Sequence, residues 1–142
     1  MKDKVFIDTD IILDLFLDRR PYSRYAADLF SLIEYNKITG CVSPLIFSNL
    51  FYIVRKEKSV AKAKEILGKL NILTNILTID SKIIELSLVS SFKDFEDAVQ
   101  YYTAKNNGIH TIITRNKEDY KVRDMIIVDA QEYLNIFKNK YF

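Results

Sequence analysis

Several residue types that build particular classes of small protein are scarce in this chain. Its 142 residues include one cysteine, three glycines, two prolines, one histidine and no tryptophan. The lone Cys41 excludes a disulfide framework and a thiolate metal cluster, and it is typical of a reducing compartment. The single histidine, His110, excludes a histidine metal cluster, and it would have to be the sole base of any Ser-His-Asp triad. We expect His110 to lie in a surface loop.

Long apolar segments are also missing. No apolar run approaches the ~20 residues that a helix needs to cross a bilayer. The first ten residues carry acids where a signal peptide would need a hydrophobic stretch. Few glycines and prolines leave little room for linkers. We therefore expect a soluble, cytoplasmic protein with no membrane partner, folded as a single domain over residues 1–142.

Charge of either sign is in little excess. The 21 Lys and Arg residues against 19 Asp and Glu residues give a formal net charge of +2. That excess is too small to indicate a polyanionic partner by itself. Small basic clusters, such as Arg19-Arg20, favour a solvated face unless a carboxylate centre lies nearby.

Short β-branched strands alternate with helical patterns along the chain. The predicted strands cover residues 5–7, 41–42, 76–79, 111–114 and 126–128. A helix is predicted to end near Gly108, and the last helix begins at Asp129 with a capping box to Glu132. This alternation predicts a parallel sheet covered on both faces, which is a three-layer α/β/α fold.

Acidic residues cluster where such a sheet places its chemistry, at the carboxyl ends of the strands. Asp8 and Asp10 directly follow the first predicted strand, and Asp97 borders the core-facing side of a later helix. A half-buried carboxylate needs a partner or a cation. Hard carboxylate oxygens suit Mg²⁺ or Mn²⁺, and an ion held this way lowers the pKa of a water and clamps a phosphate. The residues therefore predict acid-only metal chemistry.

Three segments, in this order, resemble the PIN-domain family, close to the VapC-type ribonuclease toxins of toxin–antitoxin pairs. They are Phe6-Ile7-Asp8-Thr9-Asp10, Asp94-Phe95-Glu96-Asp97-Ala98 and Ile112-Ile113-Thr114-Arg115-Asn116-Lys117-Glu118-Asp119-Tyr120. The resemblance implies a five-stranded parallel sheet and an Mg²⁺ or Mn²⁺ site of three or four acids. It also implies hydrolysis of RNA phosphodiesters, a homodimer and a small antitoxin protein as partner.

The same resemblance implies roles for individual residues. The metal ligands would be Asp8, Asp97 and Asp10. The catalytic acids would be Asp8, Asp97, Asp94 and Asp119. Supporting residues would be Thr9, Asn49, Thr114 and Asn116. Arg115, which follows the fourth strand, would hold a substrate phosphate oxygen.

One departure from the family concerns the helix after the second strand. The family usually has glutamate there, whereas this chain has Asn49 within Ser48-Asn49-Leu50. An amide brings no negative charge, so we expect weaker metal affinity. Asp14 and Asp94 are the candidates to restore the missing charge.

Two other functions stay open at this stage. The segment Asp8-Thr9-Asp10 also resembles the start of haloacid-dehalogenase phosphatases, in which Asp8 would be a covalent nucleophile and Asp10 the acid–base. Alternatively, the absence of the family's glutamate charge at Asn49 favours a PIN fold that has no catalytic activity and only binds RNA or a protein. The helix that contains Phe47, Phe51 and Tyr52 is the candidate dimer face.

Overall fold

The computed structural model describes residues 2–142, which contain a five-stranded parallel sheet and seven α-helices. The strands are β1 (Asp3–Ile7), β2 (Ile38–Val42), β3 (Asn75–Ile76), β4 (Thr111–Ile113) and β5 (Ile126–Val128). The helices are α1 (Thr9–Phe16), α2 (Ser23–Glu34), α3 (Pro44–Glu57), α4 (Val60–Leu73), α5 (Ser81–Leu88), α6 (Phe95–Asn106) and α7 (Ala130–Tyr141). The strand order is β3-β2-β1-β4-β5.

Both faces of the sheet are covered. Three consecutive residues of the central strand, Val5, Phe6 and Ile7, have no exposed surface. Because successive side chains of a strand point to opposite faces, this burial requires helices on each side. The three-layer α/β/α prediction is confirmed. Within residues 2–142, no helix has the length and apolar character needed to cross a membrane.

Local predictions of helix ends agree with the structure. Gly108 follows α6 with a φ of +71°, a left-handed conformation that glycine adopts without steric cost. Asp129 and Glu132 form the predicted capping box at the start of α7. His110 is exposed in the short segment between α6 and β4.

The third strand is shorter than predicted. We expected a strand over residues 76–79, whereas β3 covers only Asn75–Ile76. Within the described chain, β3 pairs only with β2, and pairing ends where Val42 is aligned with Ile76. Beyond Val42 the chain turns at Ser43 into α3, which has Pro44 at its first position. The remaining apolar residues therefore have no strand to pair with.

The order of the strands places a crevice beside β1. The chain moves outward from β1 to β2 and β3, and it returns to add β4 on the other side of β1. Ligand sites of open α/β sheets form where the strand order reverses in this way, at the carboxyl ends. The amide of Asp8 donates to the carbonyl of Ile113 at 3.0 Å, so the ends of β1 and β4 are directly joined.

Candidate active site

Asp8 lies at this crevice, directly after β1, and three donors fix its carboxylate. The Thr9 amide donates to Oδ1 at 2.8 Å. The Thr114 hydroxyl and the Tyr120 hydroxyl donate to Oδ2 at 3.0 and 3.3 Å. Burial outweighs these hydrogen bonds and raises the pKa of Asp8 above its usual range. The carboxylate is thus rigidly oriented and poorly solvated, which favours contact with a cation.

Asp10 lies two residues further, in the first turn of α1. Its Oδ2 accepts from the backbone amide of Arg115 at 2.9 Å, and its Oδ1 accepts from the amide of Ile11 at 2.8 Å. Burial and the negative charge of Asp8 together raise the pKa of Asp10 to about 6. The hydrogen bond to Arg115 ties α1 to the segment after β4, so both sides of the crevice hold Asp10.

Asp97 comes to the same place from α6. It is half-buried in the first turn of that helix. Burial is the main cause that raises its pKa to about 7, and the neighbouring charges of Asp94, Asp119, Asp8 and Glu96 raise it further. Repulsion from two acids of its own segment and two others shows that Asp97 lies within a concentration of negative charge.

These acids are not neutralised by basic side chains. Within residues 2–142, no salt bridge involves Asp8, Asp10 or Asp97. The Thr9 hydroxyl beside them is buried and has no hydrogen-bond partner among those residues. Uncompensated carboxylates and an orphaned hydroxyl at one point fit a bound cation with hard oxygen ligands.

The geometry fits a hydrated ion rather than a complete protein cage. Among residues 2–142, no three His, Cys, Asp or Glu side chains are close enough to surround an ion by themselves. Mg²⁺ keeps several waters and is typically held by one or two carboxylates. The residues present are therefore sufficient for this class of ion.

The predicted site residues line two neighbouring clefts. The larger, of about 530 Å³, contains the predicted residues Asp8, Thr9, Asp10, Asn49, Asp97 and Asn116. The smaller, of about 340 Å³, contains Asp94, Asp97 and Asp119 together with Lys93 and Lys121. Asp97 borders both clefts. Thr114 lies fully buried behind Asp8.

Two predicted acids have additional contacts that the sequence did not settle. Asp94 is the N-cap of α6 and accepts from the amide of Asp97 at 3.2 Å. Asp14 is 1% exposed and accepts two hydrogen bonds from the Arg115 guanidinium, at 2.7 and 2.8 Å. Asp14 therefore does not line the cleft, and it does not restore the charge missing at Asn49.

Arg115 is held from two sides. Besides its paired contact with Asp14, its guanidinium carbon lies 3.9 Å from the centre of the Tyr22 ring. Two of the guanidinium nitrogens are already engaged by Asp14. Contact between Arg115 and a substrate phosphate stays a prediction, and the structure gives this residue a role in joining α1 to the segment after β4.

Sequence reasoning missed two residues of the site. One is Tyr120, whose buried hydroxyl contacts Asp8 from 112 residues away. Glu96 was noted only as part of an acidic segment, yet it lines the larger cleft and contacts Asn49. Tyr120 had no local pattern that could reveal it. The three acids between positions 94 and 97 were the available indication for Glu96.

The sequence model of the PIN domain matches residues 4–118. The chain belongs to the PIN-domain family. This PIN-domain protein is 29% identical over 135 residues to Ribonuclease VapC1 of Aquifex aeolicus (strain VF5), and the match covers 92% of this chain and 93% of that protein.

Solved structures share the PIN fold. VapC20 of Mycobacterium tuberculosis, a sarcin-ricin loop cleaving toxin, superposes with a TM-score of 0.67 at 15% identity, over 84% of this chain and 98% of that one. A toxin–antitoxin complex from Klebsiella pneumoniae contains a chain with a TM-score of 0.61 at 24% identity, over 87% and 99% of the two chains. These likenesses confirm the predicted five-stranded parallel PIN fold.

The raised pKa values of this PIN-domain protein predict how its stability changes with pH. Asp97 has a folded pKa of about 7 against an ordinary value of 3.8. A group whose pKa is raised by folding favours the folded state below its unfolded pKa, and that contribution is lost as pH rises through the folded pKa. The metal-free protein should therefore lose stability between about pH 4 and pH 7.

Asp97→Asn removes this titration. In EDTA at pH 8, we expect the free energy of unfolding of the variant to exceed that of the unsubstituted protein by about 1–2 kcal/mol. The effect is this small because Asp97 is partly solvated, and water screens its charge. The difference should be smaller at pH 5. Urea unfolding at the two pH values measures both quantities. An equal difference at pH 5 and pH 8 would show that Asp97 has an ordinary pKa.

Proposed function

We propose that this PIN-domain protein is a divalent-metal-dependent endoribonuclease and the toxin of a type II toxin–antitoxin pair. The observation that carries the proposal is the group of three unneutralised carboxylates, Asp8, Asp10 and Asp97, at the strand-order reversal of the sheet. Their charge favours a bound cation, and a cation so placed favours binding and hydrolysis of a phosphodiester. The PIN-domain match decides against the phosphatase alternative.

The relatives support the same activity. The Aquifex aeolicus protein is named as a ribonuclease, and VapC20 is described as a toxin that cleaves the sarcin-ricin loop. The match to the first of these spans 92% of this chain. We therefore assign RNA as the substrate class.

The chain's own residues have distinct tasks in this activity. Asp8, Asp10 and Asp97 would hold the ion, directly or through its waters, and we propose that this ion is Mg²⁺ or Mn²⁺. When bound, such an ion lowers the pKa of a water and offsets the charge of the phosphate. Thr114 and Tyr120 orient the Asp8 carboxylate through their hydroxyl groups. Asp94 and Asp119 add negative charge beside Asp97.

Cleavage of end-labelled RNA tests the proposal. Purified protein is incubated with structured and single-stranded RNAs in EDTA, Mg²⁺ or Mn²⁺. We expect cutting only with the divalent ions. Because water is the attacking group, products should lack a 2′,3′-cyclic phosphate. Cutting in EDTA, or cyclic phosphate ends, would contradict the mechanism. Absence of cutting together with absence of metal binding would favour the RNA- or protein-binding module.

We also propose two protein partners. The toxin–antitoxin complex from Klebsiella pneumoniae supports a small antitoxin protein as one of them. A second copy of the chain is the other, with α3 as the predicted dimer face. On that helix Phe47 and Phe51 are partly buried against the core, whereas Tyr52 is 58% exposed. Co-purification from the native operon and light scattering test these two partners.

Thr114→Val tests how Asp8 is positioned. Thr114 is fully buried, and its hydroxyl donates to Asp8 Oδ2 at 3.0 Å. Loss of a group that orients a metal ligand typically reduces metal affinity or activity about 10- to 100-fold. We expect a loss in that range for RNA cleavage and for Mn²⁺ affinity. Thr114→Ser retains the hydroxyl and should stay near the unsubstituted protein. Equal losses in both variants would assign the effect to packing.

A further inference from the structure

Asn49 and Glu96 form a direct contact across the larger cleft. The Asn49 amide on α3 donates from Nδ2 to Oε1 of Glu96 at 2.6 Å. The two residues are 47 positions apart in sequence, so the bond joins two separate helices. Both side chains line the cleft that also contains Asp8 and Asp97. A glutamate carboxylate therefore lies directly beside the position where the chain lacks a charge.

An ordinary helix-capping role does not account for Glu96. Asp94 already caps α6 by accepting from the Asp97 amide. Glu96 instead accepts a hydrogen bond from another helix, across the cleft from Asn49. Within residues 2–142, neither a salt bridge nor a hydrogen bond from a basic side chain neutralises Glu96. Its second carboxylate oxygen, Oε2, accepts no hydrogen bond from the described part of the chain and can contact an ion or a water of that ion.

Glu96 lies in the same cleft as the proposed metal ligands. Its side chain lines the larger cleft together with Asp8, Asp10 and Asp97. Carboxylates gathered in one cleft repel one another unless a cation lies among them. Glu96 therefore adds negative charge to the same cleft as Asp8 and Asp97.

We propose that Glu96 supplies the carboxylate that α3 lacks, and that the Asn49 amide holds this carboxylate in the metal site. The proposal rests on the proposed metal-dependent function and deepens it. Where the family usually has a negative charge on α3, this chain has one on α6. The hydrogen bond from Asn49 keeps that charge beside the same cleft. Asn49 is then a positioning residue, and the substitution of an amide for an acid does not empty the site.

Direct measurement of Mn²⁺ binding tests this proposal without using cleavage as the readout. The free-ion electron paramagnetic resonance signal is titrated with the full-length protein. We expect Glu96→Gln to weaken Mn²⁺ binding about 10- to 100-fold, the range typical when a group supporting a metal site is removed. The matched control is Glu85→Gln, an exposed glutamate on α5 outside both clefts, which should leave affinity unchanged.

Relocation of the charge provides the sharper test. The double variant Asn49→Glu/Glu96→Gln returns a carboxylate to α3 and leaves an amide on α6. Because the two side chains are in contact, their effects should be strongly non-additive. We expect the double variant to regain about tenfold of the affinity lost in Glu96→Gln. Normal Mn²⁺ affinity in Glu96→Gln, or no recovery in the folded double variant, would overturn the proposal.

Asp8→Asn separates this inference from the proposed function. If the unsubstituted protein binds Mn²⁺ and Asp8→Asn does not, the metal site is present, and the Glu96 variants then decide the role of Glu96. If the unsubstituted protein binds no Mn²⁺, the proposed function fails together with the inference. Circular dichroism of each variant establishes that changes in binding do not come from unfolding.

Discussion

Asp8→Asn is expected to reduce RNA cleavage by at least about 1,000-fold, which corresponds to about 4 kcal/mol of lost transition-state stabilisation. The reason is that the variant keeps the size of the side chain but removes the charge that three donors orient. Asp97→Asn should give a loss of similar size, because it removes the acid that borders both clefts. Single-turnover cleavage of an end-labelled RNA in Mg²⁺ measures both effects.

The matched control for these variants is Asp28→Asn. Asp28 is exposed on α2 and lines neither cleft. It should retain full cleavage. The amide variants at positions 8 and 97 should remain folded, because each removes a desolvated charge. Retention of normal cleavage by Asp97→Asn would contradict the assigned site.

Arg115→Met is expected to destabilise the fold by about 3–5 kcal/mol, the range found when one partner of a buried ion pair is removed. The substitution leaves the Asp14 carboxylate, which is 1% exposed, without the two hydrogen bonds that now satisfy it. It also removes the packing of the guanidinium on Tyr22. Urea unfolding, analysed for midpoint and slope, measures the change.

Two comparisons make this stability prediction specific. Arg123→Met changes an exposed arginine that makes no salt bridge within residues 2–142, and its effect should stay within about 0.5 kcal/mol. Asp14→Leu/Arg115→Met removes both charges and should cost less than Arg115→Met alone. A double variant less stable than Arg115→Met would show that packing, rather than the unpaired charge, causes the loss.

Local patterns were enough to predict the layered α/β fold and three acids of the larger cleft, Asp8, Asp10 and Asp97. Each of these patterns depends on residues only a few positions apart. Examples are the apolar segment before Asp8, the glycine at position 108 and the Asp129–Glu132 capping box. Parallel strands bring their carboxyl ends to one edge of the sheet, so the acids that follow a strand were expected at that edge. The direct bond between the Asp8 amide and Ile113 agrees with that expectation.

Side-chain partners could not be predicted in the same way. Asp14 and Arg115 are 101 residues apart, and Asp8 and Tyr120 are 112 residues apart. A sequence pattern indicates that a buried acid needs a partner. It does not predict which cation or hydroxyl group lies beside that acid in the folded protein. Arg115 illustrates the difficulty, because an arginine at a strand end suits both a phosphate and a buried carboxylate.

The junction of β1 and β4 also has a consequence for how the protein is made. Thr114, which donates to Asp8, is separated from it by 106 residues. Tyr120 and the Arg115 amide, which contact Asp8 and Asp10, also follow β4. During synthesis, a growing polypeptide that has not yet extended past β4 therefore lacks most of the donors that orient these acids. The cleft can therefore be completed only after β4 and the segment that follows it have left the ribosome and joined β1.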